Sequence, residues 1–156
     1  MQDFSKKMTM EPEFRPKPGQ TDYTHIRRAP VINCVVQYKD KILLVRRSEK
    51  MKFYPGYWNG ISGFLDDEQS VPEKAKEEVR EEAGLAEKDI VAITEGTIFE
   101  QDEPEYNKIW VVHPVLVQVL TDNIKLDWEA QDYQWVAVSD AENFNLLPGF
   151  EKVLEV

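Results

Sequence analysis

Apolar and polar positions alternate along most of the chain in a way that predicts strands, with one well-marked helix between them. A strand is expected over 25–38, a tight turn at Lys39-Asp40, and a second strand over 41–46 carrying Ile42, Leu43, Leu44 and Val45, so the two should form a hairpin. Over 71–83 the period changes: Val71, Ala75, Val79 and, less closely, Ala83 fall on one stripe at about 100° per residue. The ends of that helix are marked as well. Ser70 and Glu73 make a capping box, Pro72 sits in the first turn where its missing N–H costs nothing, and Gly84 supplies a left-handed stop. A further strand is expected over 90–99, a polar turn over 101–108, and a long apolar strand over 109–120 that is central and buried on both faces for part of its length. Pro114 within it predicts a bulge or an edge. An acidic turn over 126–132 leads into an amphipathic strand, Ser139 and Glu142 repeat the capping-box pattern of a short helix, Pro148-Gly149 breaks it, and a last helical turn is expected over 150–154. Strands with helices on either side imply one α/β domain with a mixed sheet.

Composition limits what such a domain does. The 156 residues, 42% hydrophobic and 31% charged, suit a single globular domain with a proper core. Residues 1–23 are polar and bear Pro12, Pro16 and Pro18 without a period, so they read as a flexible tail or loosely docked arm, leaving 24–156 as the domain. No run of about 18 apolar residues predicts a membrane span and the N-terminus lacks an apolar leader, which together predict a cytoplasmic protein. The net charge of −10, from 19 basic and 29 acidic residues, excludes nucleic-acid polymer as a partner but not a small phosphorylated ligand that arrives with its own cation. A homodimer stays open. Cys34 is the only cysteine and stands in an apolar run, so it is expected to be a buried hydrophobe and not a nucleophile. His25, beside Arg27 and Arg28, and His113 are expected at the surface or packed.

The acids of the predicted helix carry the chemical signal. Glu78 lies three and four positions before Glu81 and Glu82, so three carboxylates converge near the negative end of the helix dipole, where like charges repel. One reading is a solvated acidic face with Lys74 and Glu78 as a helical pair. The other is a divalent-cation site, since carboxylate oxygens are the ligands Mg²⁺ and Mn²⁺ prefer.

The spacing of acids and glycines over 63–85 resembles the Nudix hydrolase family, whose box reads Gly, five residues, Glu, seven residues, Arg-Glu-apolar-x-Glu-Glu-x-Gly-apolar. Gly63, Glu78, Val79, Glu81, Glu82, Gly84 and Leu85 match in register, while Gln69 replaces the first Glu and Glu77 replaces the Arg. A glutamine can still donate to a glutamate where an ion pair has been lost, so the two departures can compensate each other. The resemblance implies the α/β/α sandwich of the Nudix fold, with the acidic helix on one side of the sheet and the C-terminal helix on the other. It implies Glu78, Glu81 and Glu82 as ligands of Mg²⁺ or Mn²⁺, with the carbonyl of Ser62 beside them. It implies hydrolysis of a nucleoside diphosphate linked to another moiety X. Two other readings stand beside it: a nucleotide-binding module that has lost catalysis, motivated by Gln69 and Glu77, and an isopentenyl-diphosphate-isomerase-like enzyme, which needs a loop cysteine that Cys34 does not provide.

Further candidates lie outside the box. Glu129 is the expected general base, with Asp127 and Asp132 as rivals and a plain acidic loop as the alternative. Arg46 and Arg47 suit bidentate phosphate recognition. The loop over 51–60 is dense in aromatics, Tyr57 and Trp58 among them, which either plug the core or stack on a base. Gly60 and Gly63 mark close backbone approaches, and Trp128 and Trp135 are expected in the core.

Overall fold

The computed structural model describes residues 16–156. Eight strands form one mixed sheet: β1 (Arg28–Tyr38), β2 (Lys41–Arg47), β3 (Trp58–Asn59), β4 (Ile61–Phe64), β5 (Ile90–Glu95), β6 (Phe99–Glu103), β7 (Lys108–Val119) and β8 (Ala130–Ala137). Among the described residues the α-helices are α1 (Val71–Ala83) and the single turn α2 (Phe150–Val153). Alternation along the strands splits the core in two. Ile32, Cys34, Val36, Leu43 and Val45 face α1, whose Ala75, Val79 and Ala83 form the predicted stripe. Ala29, Val35, Ile42 and Leu44 face the other way, toward Tyr54, Trp110, Phe150 and Val153. The expected α/β/α arrangement is present, but its second layer is thin and aromatic, because α2 is one turn long.

The sheet opens where the candidate residues lie. β1 and β2 pair only at Gln37↔Ile42 and Tyr38↔Lys41. Beyond that point β4 takes over the same edge of β1, pairing Val31–Cys34 with Ile61–Phe64, while β3 borders β2. On the other side β1 runs parallel to β7. Gly60 is needed at the β3–β4 junction, because a Cβ there would lie 2.4 Å from the Cys34 carbonyl oxygen.

Several expectations are corrected. The strand over 90–99 is two, β5 and β6, because β7 changes partner at Pro114: β6 pairs up to Phe99↔Val112 and β5 from Glu95↔Val115. Pro114 is therefore neither a bulge nor the sheet's outer edge. Its carbonyl accepts from the Gly96 N–H (2.8 Å), and its missing donor falls at the break between the two partners. The polar turn is shorter than expected, with β6 running to Glu103 and a turn at Pro104–Tyr106 ending on left-handed Asn107. The faces of β7 are buried in sequence rather than together, Trp110 and Val112 on the aromatic side and then Val115, Val117 and Val119 against the α1 side. Val138–Asn143 is a 3-10 turn with Ala137 ahead of it and no side-chain cap, so Ser139 and Glu142 make no capping box. Of the N-terminal segment, Pro12 and its neighbours lie outside the described residues, and residues from 16 onward follow below.

Candidate active site

Helix α1 begins as its sequence predicts. Ser70 Oγ accepts from the Glu73 N–H (3.3 Å), Glu73 Oε1 accepts from the Ser70 N–H (3.1 Å), and Gly84 closes the helix with φ 71°. A well-capped helix aims its carboxylates reproducibly, and α1 sends them to both sides of its middle.

The first group braces the loop ahead of the helix. Lys74, with a side chain only 3% exposed, donates to Asp66 (3.2 Å), Asp67 (2.8 Å) and Glu77 (2.9 Å). The Lys74–Glu78 pair of the solvated-face reading does not form; the lysine turns to Glu77 and the loop, where two more carboxylates wait. Gln69 Nε2 donates to Glu77 Oε1 (3.1 Å) and to Asp67 Oδ2 (3.0 Å). So the residues at the two departing positions do touch, and the cation that an arginine would bring comes from Lys74. Burial opposes the Lys74 charge, but the hydrogen bonds to Asp67, Glu77 and Asp66 outweigh it and hold its pKa above the usual value. The same bonds overcome the effect of burial on Asp67 and Glu77 and hold those carboxyls below the ordinary range.

The second group, Glu78 and Glu82, has no such cation within salt-bridge distance among the described residues. Glu82 is buried and its Oε2 has no hydrogen-bond partner. Burial, then the neighbouring carboxyls of Glu78 and Glu129, push its pKa well up, and burial does the same to Glu78. The Glu78 carboxyl lies against the backbone of Gly63, where a Cβ would stand 2.6 Å from it, which is why that strand position needs glycine.

These groups border a cavity of about 330 Å³ lined by Ser62, Gly63, Glu78, Glu81, Glu129 and Arg47, among others. Glu82 stands behind this wall. Asp127 and Asp132 are not in the lining; Asp127 accepts from the Glu129 N–H (3.0 Å) and so fixes the turn that carries Glu129. Arg46 is outside the lining as well, its Nε donating to the Gly56 carbonyl (3.2 Å), whereas Arg47 Nε donates to the Phe53 carbonyl (2.9 Å) from within it. Tyr57 and Trp58 are not cavity residues: Tyr57 packs edge-on against Tyr54 and Trp58 against Phe144. The aromatic loop mainly plugs the core, with Tyr54 O–H donating to Glu103 (2.7 Å) and accepting from Trp110 Nε1 (2.9 Å). Phe53 does both, packing edge-on to Trp110 at 5.1 Å while lining the cavity.

Trp128 overturns its core assignment: it is 42% exposed and lines the cavity beside Glu129, while Trp135 packs against the core. Three features were not foreseen: Trp128 as a cavity residue, the Lys74 brace, and a buried amide relay in which Asn33 Nδ2 donates to Asn59 (2.9 Å) and Asn59 Nδ2 to Ser62 Oγ (3.1 Å). A lone polar Asn33 within an apolar strand was the available signal for the last.

Among the described residues no three acidic, histidine or cysteine side chains converge as a ready-made metal cage. A divalent cation nevertheless fits the donor set. The oxygens are hard ligands, two carboxyls are buried against each other, and one buried oxygen is without a partner. Glu81 lines the cavity from the same helix.

This geometry on this sheet is that of a Nudix hydrolase, and the chain belongs to that family: the model described as NUDIX domain matches residues 27–155. An uncharacterized Nudix hydrolase of Bacillus subtilis (strain 168), YvcI, is 26% identical over 132 residues, covering 85% of this chain and 79% of its own. The fold is shared with the MutT NUDIX hydrolase of Burkholderia pseudomallei, at a TM-score of 0.68 and 17% identity over 83% of this chain and 97% of that one. The NUDIX domain of Shewanella oneidensis NrtR, solved in complex with ADP ribose, matches at 0.69 and 14% identity over 99% of this chain and 96% of its own. Among the described residues no helix is long and apolar enough to cross a membrane.

Proposed function

We propose that the chain is a Mg²⁺- or Mn²⁺-dependent pyrophosphohydrolase. Its substrate would be a nucleoside diphosphate linked to a moiety X, and its products a nucleoside monophosphate and phosphorylated X, or pyrophosphate when X is a diphosphate. The observation that carries this is the buried Glu82, whose Oε2 has no partner, beside Glu78 in the wall of a cavity also lined by Glu81 and Glu129. Glu78, Glu81 and Glu82, with the Ser62 carbonyl, would hold the cation, which when bound supplies charge neutralisation at the diphosphate oxygens. Arg47, in the same lining, would meet a phosphate. Glu129 would take a proton from the attacking water as its oxygen bonds to phosphorus; the bridging P–O bond breaks and its electron pair stays on the departing phosphate. General-base assistance of this kind is typically worth about 10²–10⁴ in rate. A nucleotide substrate suits a cytoplasmic enzyme.

The retained brace at Lys74, Gln69 and Glu77 counts against decay of the box into a binding module. The burial of Cys34, which pushes its thiol pKa far up, counts against an isomerase that needs a reactive loop cysteine. The test is release of phosphate, pyrophosphate or nucleoside monophosphate from nucleoside triphosphates, dinucleoside polyphosphates, ADP-ribose and NADH, each with Mg²⁺ and Mn²⁺. Turnover should fall on the order of 10²-fold or more in Glu81→Gln. Nucleotide binding without turnover by the wild type would replace the hydrolase with a binding module.

A further inference from the structure

Residues ahead of β1 follow no period, yet Thr21, Asp22, Tyr23 and Thr24 line the same cavity as Glu78 and Glu129. This short arm is fastened on both sides of Tyr23. On one side the Thr21 N–H donates to the Asp66 carbonyl (2.6 Å) and Gln20 Nε2 to Asp66 Oδ2 (3.1 Å), so the arm hangs on the loop that Lys74 braces. On the other, Lys108 Nζ donates to the carbonyls of Tyr23 (2.5 Å), Thr24 (3.2 Å) and Ile26. Between the two anchors the Tyr23 ring stacks on Phe64, interplanar angle 8° and centroids 6.0 Å apart.

Lys108 is 2% exposed, and a lysine so buried ordinarily has a carboxylate partner. Here the three protons of the ammonium go to three carbonyls of one stretch of main chain, with the rings of Phe53 and Trp110 at 6.0 and 5.8 Å and no carboxylate among the described residues within salt-bridge distance. Burial, and then Lys52, lower its pKa. A charge carried at that cost and spent wholly on one segment is a clamp for that segment. Lys108 opens β7, which is bonded to β1 on one side and β6 on the other, so the clamp stands on a fixed base.

We propose that the arm at 21–24 is the substrate-selecting wall of the cavity, contacting the part of the substrate beyond the diphosphate, and that Lys108 is the positioning residue that holds it there. The proposal rests on the diphosphate reading above. It also names a class of X. Among the described residues the lining carries five acids, Asp22, Asp66, Glu78, Glu81 and Glu129, against Arg47 and Lys52. A cation held by the glutamates offsets one diphosphate, and a further phosphate would enter a negative field to which Asp22 adds. The Thr21 hydroxyl suits a hydroxyl group instead, as does the Asp22 carboxylate, which the Thr24 N–H holds in place at Oδ1 (2.9 Å). The preferred substrate is thus a nucleoside diphosphate joined to an uncharged, hydroxyl-bearing group, ahead of a nucleoside triphosphate.

The experiment uses the full chain with ADP-ribose and ATP in Mg²⁺, and follows trypsin cleavage after Arg27 and Arg28. Wild type should prefer ADP-ribose. Lys108→Met should raise KM for ADP-ribose at least tenfold, leave kcat within about threefold, and speed tryptic cleavage at least tenfold. Tyr23→Ala, which leaves Lys108 and the core in place, should act in the same direction and decides the matter if Lys108→Met does not fold. Asp22→Asn should raise kcat/KM for ATP about tenfold relative to ADP-ribose. Faster cleavage with unchanged KM, or an equal fall in kcat, overturns the proposal, and a wild-type preference for ATP overturns the choice of X. If wild type hydrolyses neither compound, the hydrolase reading is decided separately, by the wider nucleotide panel. The arm is then judged by protection: ADP-ribose slowing cleavage in wild type but not in Lys108→Met supports it, and no protection in wild type overturns it.

Discussion

Two clusters of carboxylates meet at helix α1, and the chain treats them in opposite ways. Asp66, Asp67 and Glu77 converge on Lys74 within 3.2 Å, with Gln69 bridging two of them. Glu82 is buried and Glu78, one turn before it, half-buried, and neither has a lysine or arginine within salt-bridge distance among the described residues. Where the loop must be stiff the chain brings its own cation, and where chemistry is expected it leaves the charge uncompensated. The contrast argues that the second cluster is built for a cation from solution, because a lysine on the same helix could have served both.

The largest effect that would break this contrast is at the uncompensated cluster. Glu82→Gln should lower turnover on the order of 10²-fold or more. Without added metal its melting temperature should be unchanged or higher, because an amide replaces an acid that burial already resists ionising. With Mg²⁺ at 100 times the wild-type Kd, the wild type should gain about 2.7 kcal/mol, roughly 5–11 °C, and the variant nothing. A variant that still gains the full shift would place the cation elsewhere.

Lys74→Met tests the other side and should cost stability instead. Removing one partner of a buried ionic cluster costs roughly 3 kcal/mol, or about 6–12 °C here. Asp67 and Glu77 titrate below the usual carboxylate range, so the brace is complete above roughly pH 5 and is lost as pH falls through their folded values. Lys74 titrates above its usual value, so nothing is lost on the alkaline side until about pH 10 or beyond. Denaturant titrations should accordingly show the wild type and Lys74→Met far apart at pH 7 and close together near pH 2. An equal gap at both would mean that the lysine acts by packing and not by charge.

The same contrast explains which parts of the molecule were legible in the sequence. Helix α1 was, from Ser70 to Gly84, because caps and an apolar stripe are local signals, and so was the acid spacing, because side chains three and four apart on a helix must share a side. Glu77, three residues on, was as near to Lys74 along the helix as Glu78, four on; the choice between them, and the contacts with Asp66 and Asp67, depend on a loop that tertiary packing brings back. The β5–β6 break was hidden for a similar reason. An apolar run does not reveal where its ladder partner changes, and Pro114 marked the place without naming the cause. Trp128 looked like core because large aromatics usually are, and the arm at 21–24 had no period to read.

The smallest effect, and the finest probe of the brace, lies at the two positions where the box departs from its family. Gln69→Glu removes two donated hydrogen bonds and adds an acid beside Asp67 and Glu77, at about 1 kcal/mol. Glu77→Arg removes an acceptor from Lys74 and sets a second cation next to it. Together the two substitutions would face an acid and a guanidinium across the gap that Gln69 and Glu77 now bridge at 3.1 Å. The pair should therefore lose less than the sum of the singles, by about 1 kcal/mol in a double-mutant cycle read by denaturant unfolding, while the Mg²⁺-induced shift stays intact in all three variants. Zero coupling would mean that Gln69 and Glu77 do not act as a pair and that Lys74 alone holds the loop. A lost Mg²⁺ shift would mean that the two clusters are one system, since Glu77 is then already within reach of whatever Glu78 and Glu82 bind.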